Sequence, residues 1–371
     1  MTTSAAPSLQ PARRAIAASE ITKANAEAYL HGDYDRRHVT AEEYRHFRQW
    51  GFLKIEGLLS PEDVDELDQH TKDLMAGRLP EQLQMDEIDP RGSQGTNLQQ
   101  GEEDTLRHLF RPPEGLTEEE KAQLFLRIHM LHRHLPLHER YLLHPRVLDI
   151  LEVIIGPDVL ALQSMLFLKP PGRSGQGWHQ DAYYIPTHPD TLCGAWIAID
   201  DADEFNGALW MAKGSSAEPV HPPCPNASDG IKPYGFGERL IANLEHVQGV
   251  SEPDDDKNTL SPIANRYDNV LVPAKKGDVI FFNGHVLHRS KSNVTKDRFR
   301  RAFVGHYCNA RSFTQWGGYD HHTPQQEKCV NGLANGSHIL ARGDTHLPFA
   351  KPKFETPCAA MLPEDVRRDA L

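Results

Sequence analysis

Gly177-Trp178-His179-Gln180-Asp181 is the stretch whose reading decides the fold. It follows an apolar run, Val159 to Phe167, with Pro170, Pro171 and Gly172 between the two. A run that short, bounded by turn residues, predicts a strand rather than a long helix. On a strand, His179 and Asp181 share one face with Cα atoms roughly 7 Å apart. An imidazole and a carboxylate so placed can converge on one small cation. His-x-Asp by itself is a common surface pattern, and it gains meaning only if a second histidine arrives from far along the chain.

Outward from this stretch, the two halves of the chain differ. Residues 1–14 read as a disordered N-terminus, and Ala15 to Leu30 favours helix. Thr40-Ala-Glu-Glu43 has the form of a capping box and opens a helix that ends near Gly51. Phe52 to Ile55 alternates as a strand does. Ser60-Pro61 starts a helix to about Met75. Residues 80–115 are polar, with little periodicity, and predict a long binding loop or lid. Thr117-Glu-Glu-Glu120 predicts a further helix reaching about Leu131, and His144-Pro145 one that stops at Gly156.

Beyond Gly156, short apolar runs dominate: Val159–Phe167, Leu192–Ile199, Ala208–Met211, Arg239–Leu244, Val279–Phe282 and Phe299–Tyr307. Ser251 to Asn269 reads as a loop insertion, and the tail from Gln325 shows no strong pattern. Helices first and strands afterwards imply one β-sandwich or barrel with helices packed outside it. The expected fold class is mainly β with added helices, around a double-stranded β-helix (jelly-roll, cupin-like) core. The expected organisation is a single domain over 15–371, with a helical part at 15–156, a β core at about 157–310 and a C-terminal extension at 311–371.

With 371 residues, 39% hydrophobic and 25% charged, the chain has the composition of a soluble globular protein. A net charge of −12 without any Lys/Arg block argues against nucleic acid as a partner. It also means that an anionic cosubstrate needs its own local cation. Cys193, Cys224, Cys308, Cys329 and Cys358 are widely spaced and read as free thiols in a reducing, cytoplasmic setting. No apolar stretch is long enough to cross a membrane, and the N-terminus lacks the apolar segment of a secretory signal.

The partner for His179 and Asp181 is His288, just past the expected buried strand Val279 to Phe282. Two histidines and one carboxylate, with positions left open, form the facial triad of non-haem Fe(II) oxygenases. Neutral imidazoles suit Fe(II), and one carboxylate offsets half of its charge. His285 is the nearest rival to His288, but no serine follows it closely. A third feature is Arg300, in Arg298-Phe-Arg-Arg-Ala302, whose planar fork suits a bidentate grip on a carboxylate.

The chain resembles the phytanoyl-CoA dioxygenase family of Fe(II)/2-oxoglutarate oxygenases. The resemblance is carried by Met165-Leu-Phe-Leu-Lys-Pro-Pro171, Trp178 to Asp181, Ala195-Trp-Ile-Ala-Ile-Asp-Asp201, Asn206-Gly-Ala-Leu209, His288-Arg-Ser290 with Asn293, and Phe299-Arg-Arg-Ala302. It implies that His179, Asp181 and His288 ligate Fe(II) and that Arg300 and Ser290 bind the distal carboxylate of 2-oxoglutarate. It further implies that Trp196, Met165 and Gln180 line the cosubstrate pocket. O2 would be the second cosubstrate, with succinate and CO2 released as a C–H bond of a small molecule is hydroxylated.

The chain departs from the family pattern at two places. The arginine follows His288 by one residue more than usual, which leaves Arg300 and Arg301 both open as the anchor. The usual Pro-Gly-Ser-His segment reads Lys213-Gly-Ser-Ser216. On pattern alone Met165 and Trp196 also fit a plain core, and a regular strand would turn Gln180 away from its neighbours. His129, His132 and His134 read as the end of a helix, partly exposed. Arg311 to His322 suits a substrate wall or an ordinary packed loop. Two other classes use the same residues: a non-catalytic cupin-like metal-binding protein, and a Zn-dependent hydrolase. A halogenase would need Asp181 replaced.

Overall fold

In a computed structural model, residues 36–82, 111–117, 120–121, 127–221, 258–314, 334–364 and 367 are described. The expected helix at 15–30 and strand at 239–244 lie outside them, as do most of the 80–115 loop and of the 311–322 segment.

Helix α1 (Ala41–Trp50) begins with the anticipated capping box. The Thr40 hydroxyl accepts from the Glu43 amide, and the Glu43 carboxylate accepts from the Thr40 amide at 2.8 Å. It stops at Gly51, whose φ of 84° is left-handed, and the chain enters β1 (Phe52–Ile55) directly. Helix α2 (Pro61–Met75) is capped by Ser60 and buries Val64, Leu67 and Leu74 along one stripe. Thr117 and Glu120 make their expected reciprocal cap. However, the helix expected to reach Leu131 has given way by Arg127 to a strand, β2 (Arg127–His129), followed by a 3₁₀ turn at Leu131–Arg133. Pairing with the edge of a long strand outweighs the local helical preference there. His129 and His132 therefore do not share a helix. Helices α3 (Pro136–Leu142) and α4 (Pro145–Ile154) follow, each opened by a proline.

The β region forms two antiparallel sheets. Strand β3 (Val159–Lys169) leads to β4 (Gln176–His179), a single helical turn α5 (Asp181–Tyr184), β5 (Cys193–Ala198) and β6 (Leu209–Lys213). After a short helix α6 (Ser261–Ala264) come β7 (Asp268–Val272), β8 (Val279–Asn283), β9 (His288–Ser290), β10 (Arg300–Asn309) and β11 (Ile339–Arg342). The larger sheet runs β1-β8-β5-β10-β3-β11, and β2 also pairs with β3. The smaller runs β4-β9-β6-β7. Strand β3 is long enough to hold β11 at its start and β2 near its end. Neither β7, expected as loop, nor β11, in the tail, has a strong apolar alternation. Each is added to a sheet edge by backbone pairing.

Alternation along β10 divides the interior. Ala302 and Val304 face inward with Met165, Trp196, Ile280 and Phe282, and meet Leu209, Met211 and Val272 of the smaller sheet. Phe303 and Tyr307 face outward into a second core built with Val64, Leu67, Leu148, Leu151 and Tyr141 of the helices. The result is a mainly β, jelly-roll core whose larger sheet is backed by helices, with a cup between the sheets.

Candidate active site

Strands β4 and β9 pair in register with His179 directly opposite His288, and their rings lie 4.1 Å apart between centroids. Each ring is oriented in the same way. The Nδ1 of His179 donates to the Gly177 carbonyl at 2.9 Å, and that of His288 to the Val286 carbonyl at 3.0 Å. Both Nε2 atoms are thus left with a bare lone pair. Asp181 is not on the strand. The strand ends at His179, and Asp181 opens α5, so the turn of the chain and not strand alternation brings the carboxylate round.

Asp181 Oδ1 lies 3.7 Å from His179 Nε2 and 3.6 Å from His288 Nε2. Those distances are too long for hydrogen bonds. The three ligand atoms all lie within 4.8 Å of one another and all three residues are buried. Two ligands about 2.1 Å from a shared ion stand roughly 3–3.5 Å apart, so small side-chain movements would let a cation bridge this gap. The donor set of two neutral imidazoles and one carboxylate fits Fe(II). Burial, reinforced by His288, pushes the His179 imidazole down to about 3, so it stays neutral and available. Burial alone would raise the Asp181 carboxyl, but His288, His306 and His179 together hold it well below the usual carboxylate range.

At the other end of the cup lies Arg300. It is buried, its Nε has no hydrogen-bond partner among the described residues, and its guanidinium stands 5.7 Å from the Trp196 ring. Burial pushes it down to about 10, against the weak pull of Asp200. Arg301, on the opposite face, is fully engaged: it makes two side-chain bonds to Asp200, at 2.8 and 2.6 Å, and reaches Asp68 at 2.8 Å. The pleat thus leaves Arg300, and not Arg301, facing the cup. Lys169 is the cross-strand partner of Arg300 and donates to Ser290 Oγ at 2.8 Å and to the Lys291 carbonyl. Met165 and Trp196 line the same interior.

Gln180 is engaged with backbone: its amide donates to the Pro219 and His285 carbonyls and accepts from the His221 amide, so it ties the 219–221 segment to that at 285. His285, the rival ligand, donates to the Glu218 carbonyl through Nδ1 and stands 3.5 Å from Asp190, outside the triad. Sequence reasoning missed Lys169, Gln163 and His306. The signal was present: positions 163, 165, 167 and 169 on β3 and 300, 302, 304 and 306 on β10 are the inward sets of a period of two.

A cup that holds two histidines and an aspartate at one end and a buried guanidinium at the other defines a non-haem metal oxygenase class of site. Comparison with known proteins narrows it. The family model for phytanoyl-CoA dioxygenase (PhyH) matches residues 47–302. The chain belongs to the phytanoyl-CoA dioxygenase family and is an enzyme of the Fe(II)/2-oxoglutarate dioxygenase kind. It is 28% identical over 295 residues to the phytanoyl-CoA dioxygenase domain-containing protein 1 of Danio rerio, covering 75% of this chain and 92% of that protein. It is 30% identical over 176 residues to the peroxisomal phytanoyl-CoA dioxygenase of Bos taurus, covering 46% of each. Among solved structures, EctD from S. alaskensis with 2-oxoglutarate and 5-hydroxyectoine is similar at 19% identity and a TM-score of 0.47, over 76% of this chain and 80% of that one.

Proposed function

We propose that this enzyme uses Fe(II), 2-oxoglutarate and O2 to hydroxylate a C–H bond of a small molecule, releasing succinate and CO2. The observation that carries the reading is the convergence of His179, Asp181 and His288 at one end of a cup that holds a buried Arg300, its Nε without a partner among the described residues, at the other. When bound, the iron with 2-oxoglutarate and O2 supplies the oxidant, and the protein's task is orientation and exclusion of water.

In this reading His179 and His288 offer their bare Nε2 atoms and Asp181 its Oδ1, leaving the rest of the ion's coordination to the cosubstrates. The Arg300 fork would hold the distal carboxylate of 2-oxoglutarate. The Ser290 hydroxyl already accepts from Lys169, so its own proton is free to donate to the same carboxylate. Ala302 and Val304 are the inward residues of the cup between Arg300 and His306. Met165 and Trp196 wall it against water.

A Zn-dependent hydrolase would have no use for a buried guanidinium at that depth, and a merely metal-binding module none for the pair of cations at Arg300 and Lys169. The acyl-CoA in the names of the relatives is not carried over to this chain, because substrate choice resides in loops rather than in the fold. The test is succinate formation by purified protein with Fe(II) and 2-oxoglutarate, screened against candidate small molecules. Stimulated succinate release with matching substrate hydroxylation supports the reading. Turnover that proceeds without 2-oxoglutarate overturns it.

A further inference from the structure

His306 is a buried histidine with no part in the facial triad, and the structure joins it to the triad through a single oxygen atom. Its Nε2 lies 2.9 Å from Asp181 Oδ2, the carboxylate oxygen that faces away from the two histidines. Its Nδ1 lies 3.0 Å from the Gln163 amide nitrogen. With the amide as donor, Nδ1 accepts and Nε2 carries the proton that Asp181 receives. Gln163 is the direct cross-strand partner of His306, and the β3–β10 register slips by one residue immediately afterwards, between His306 and Tyr307. A bulge at that place bends the strand pair and aims both side chains into the cup, while Tyr307 turns out to bond the Leu142 carbonyl.

We propose that His306 is a positioning residue, which with Gln163 behind it holds Asp181 as a one-oxygen ligand. Asp181 starts a helix of a single turn and has no strand to fix its rotamer. Free to rotate, its carboxylate could present both oxygens to the ion and consume a position that a cosubstrate needs. The His306 bond occupies Oδ2 and points Oδ1 at the midpoint of the two imidazoles. His179 and His288 are held by their own Nδ1 bonds to carbonyls, so all three ligands have an outer partner, and His306 supplies the only one from the larger sheet. The inference rests on the metal-centre reading above.

The test is equilibrium metal affinity, measured anaerobically with Mn(II) and with Fe(II), beside the unfolding midpoint of the metal-free protein. His306→Leu removes the donor at similar volume, His306→Gln retains an N–H donor, and Gln163→Leu removes only the group behind. The expected result is a loss of about ten- to a hundredfold in affinity for His306→Leu. His306→Gln should recover most of it, and Gln163→Leu should lose less than His306→Leu. If His306→Leu does not fold, the comparison of Gln163→Leu with wild type carries the test. Unchanged affinity in that variant, or in a folded His306→Leu, overturns the proposal and leaves the metal-centre reading intact. Failure of the wild type to bind one equivalent of metal overturns that reading instead.

Discussion

Arg300 and Arg301 are neighbours on one strand and face opposite ways: Arg300 enters the cup beside Trp196, and Arg301 grips Asp200 and Asp68 on the helix-backed side. Two substitutions should therefore separate cleanly. Arg300→Ala should raise the 2-oxoglutarate requirement at least about tenfold, since hydrogen bonds to charged groups contribute about 1.5–3 kcal/mol each. Its iron affinity should not change. Arg301→Ala should instead cost about 3 kcal/mol of stability by leaving Asp200 without its ion pair in a largely buried place, at an unaltered 2-oxoglutarate requirement, while Asp68 keeps Lys72 and Lys276. Steady-state kinetics and denaturant unfolding of both variants check this, and the reverse pattern would show that the faces are exchanged.

Asp181→Ala should abolish turnover while the fold persists. It removes the only carboxylate among the three converging ligands, and the two imidazoles alone cannot offset the charge of a divalent ion. Metal content after dialysis should fall to background, with a far-UV circular dichroism spectrum like that of wild type. Retention of a full equivalent of iron would contradict the ligand assignment.

Acid should weaken the fold for a reason remote from the cup. His138 and His132 are buried on the helix-backed side, and burial holds both well below the ordinary imidazole value. The unfolded chain takes up protons near pH 6.5 while the folded chain does not, so the contribution is intact above that pH and is lost as pH falls below it. Each such group adds a slope of up to about 1.4 kcal/mol per pH unit. Unfolding midpoints between pH 7 and 5 should fall accordingly, and His138→Phe should flatten the dependence.

Phe303 alternates with the inward Ala302 and Val304 and is completely buried against Tyr141 and His138. Phe303→Ala should cost about 3–5 kcal/mol through lost transfer energy and the cavity left behind. The metal affinity of the folded fraction should be preserved, because the deletion lies on the far face of the strand. Calorimetric unfolding together with metal titration checks both parts.

The features legible in the sequence were those with a local signature. The Thr40 and Ser60 caps, the prolines that open α2 and α4, and the apolar runs of β3, β5, β8 and β10 each follow from a few adjacent residues. The triad was legible because it could be matched by residue type, yet the reason that Asp181 joins it was not. A strand was expected to present it, and a chain turn does so. β2, β7 and β11 escaped notice because their place is set by what they pair with, and a sheet edge accepts backbones of little distinctive pattern. His306 and Lys169 went unremarked for a related reason. Their partners, Asp181 and Ser290, come from another sheet or from a turn between sheets, and no local window contains both halves of such a contact.

The facing pair on β4 and β9 has a consequence for how the empty and loaded forms of the protein differ in endurance. The two strands are short and the third ligand sits on a single helical turn, so a cation caught among them would add a tie to those already made by strand pairing and by the Gln180 amide. By mass action, free ion at a hundred times its dissociation constant would raise resistance to unfolding by about 2.7 kcal/mol. Iron supply would then govern how long the molecule survives as well as how fast it works, and chelation would show first as loosening around β4 and α5.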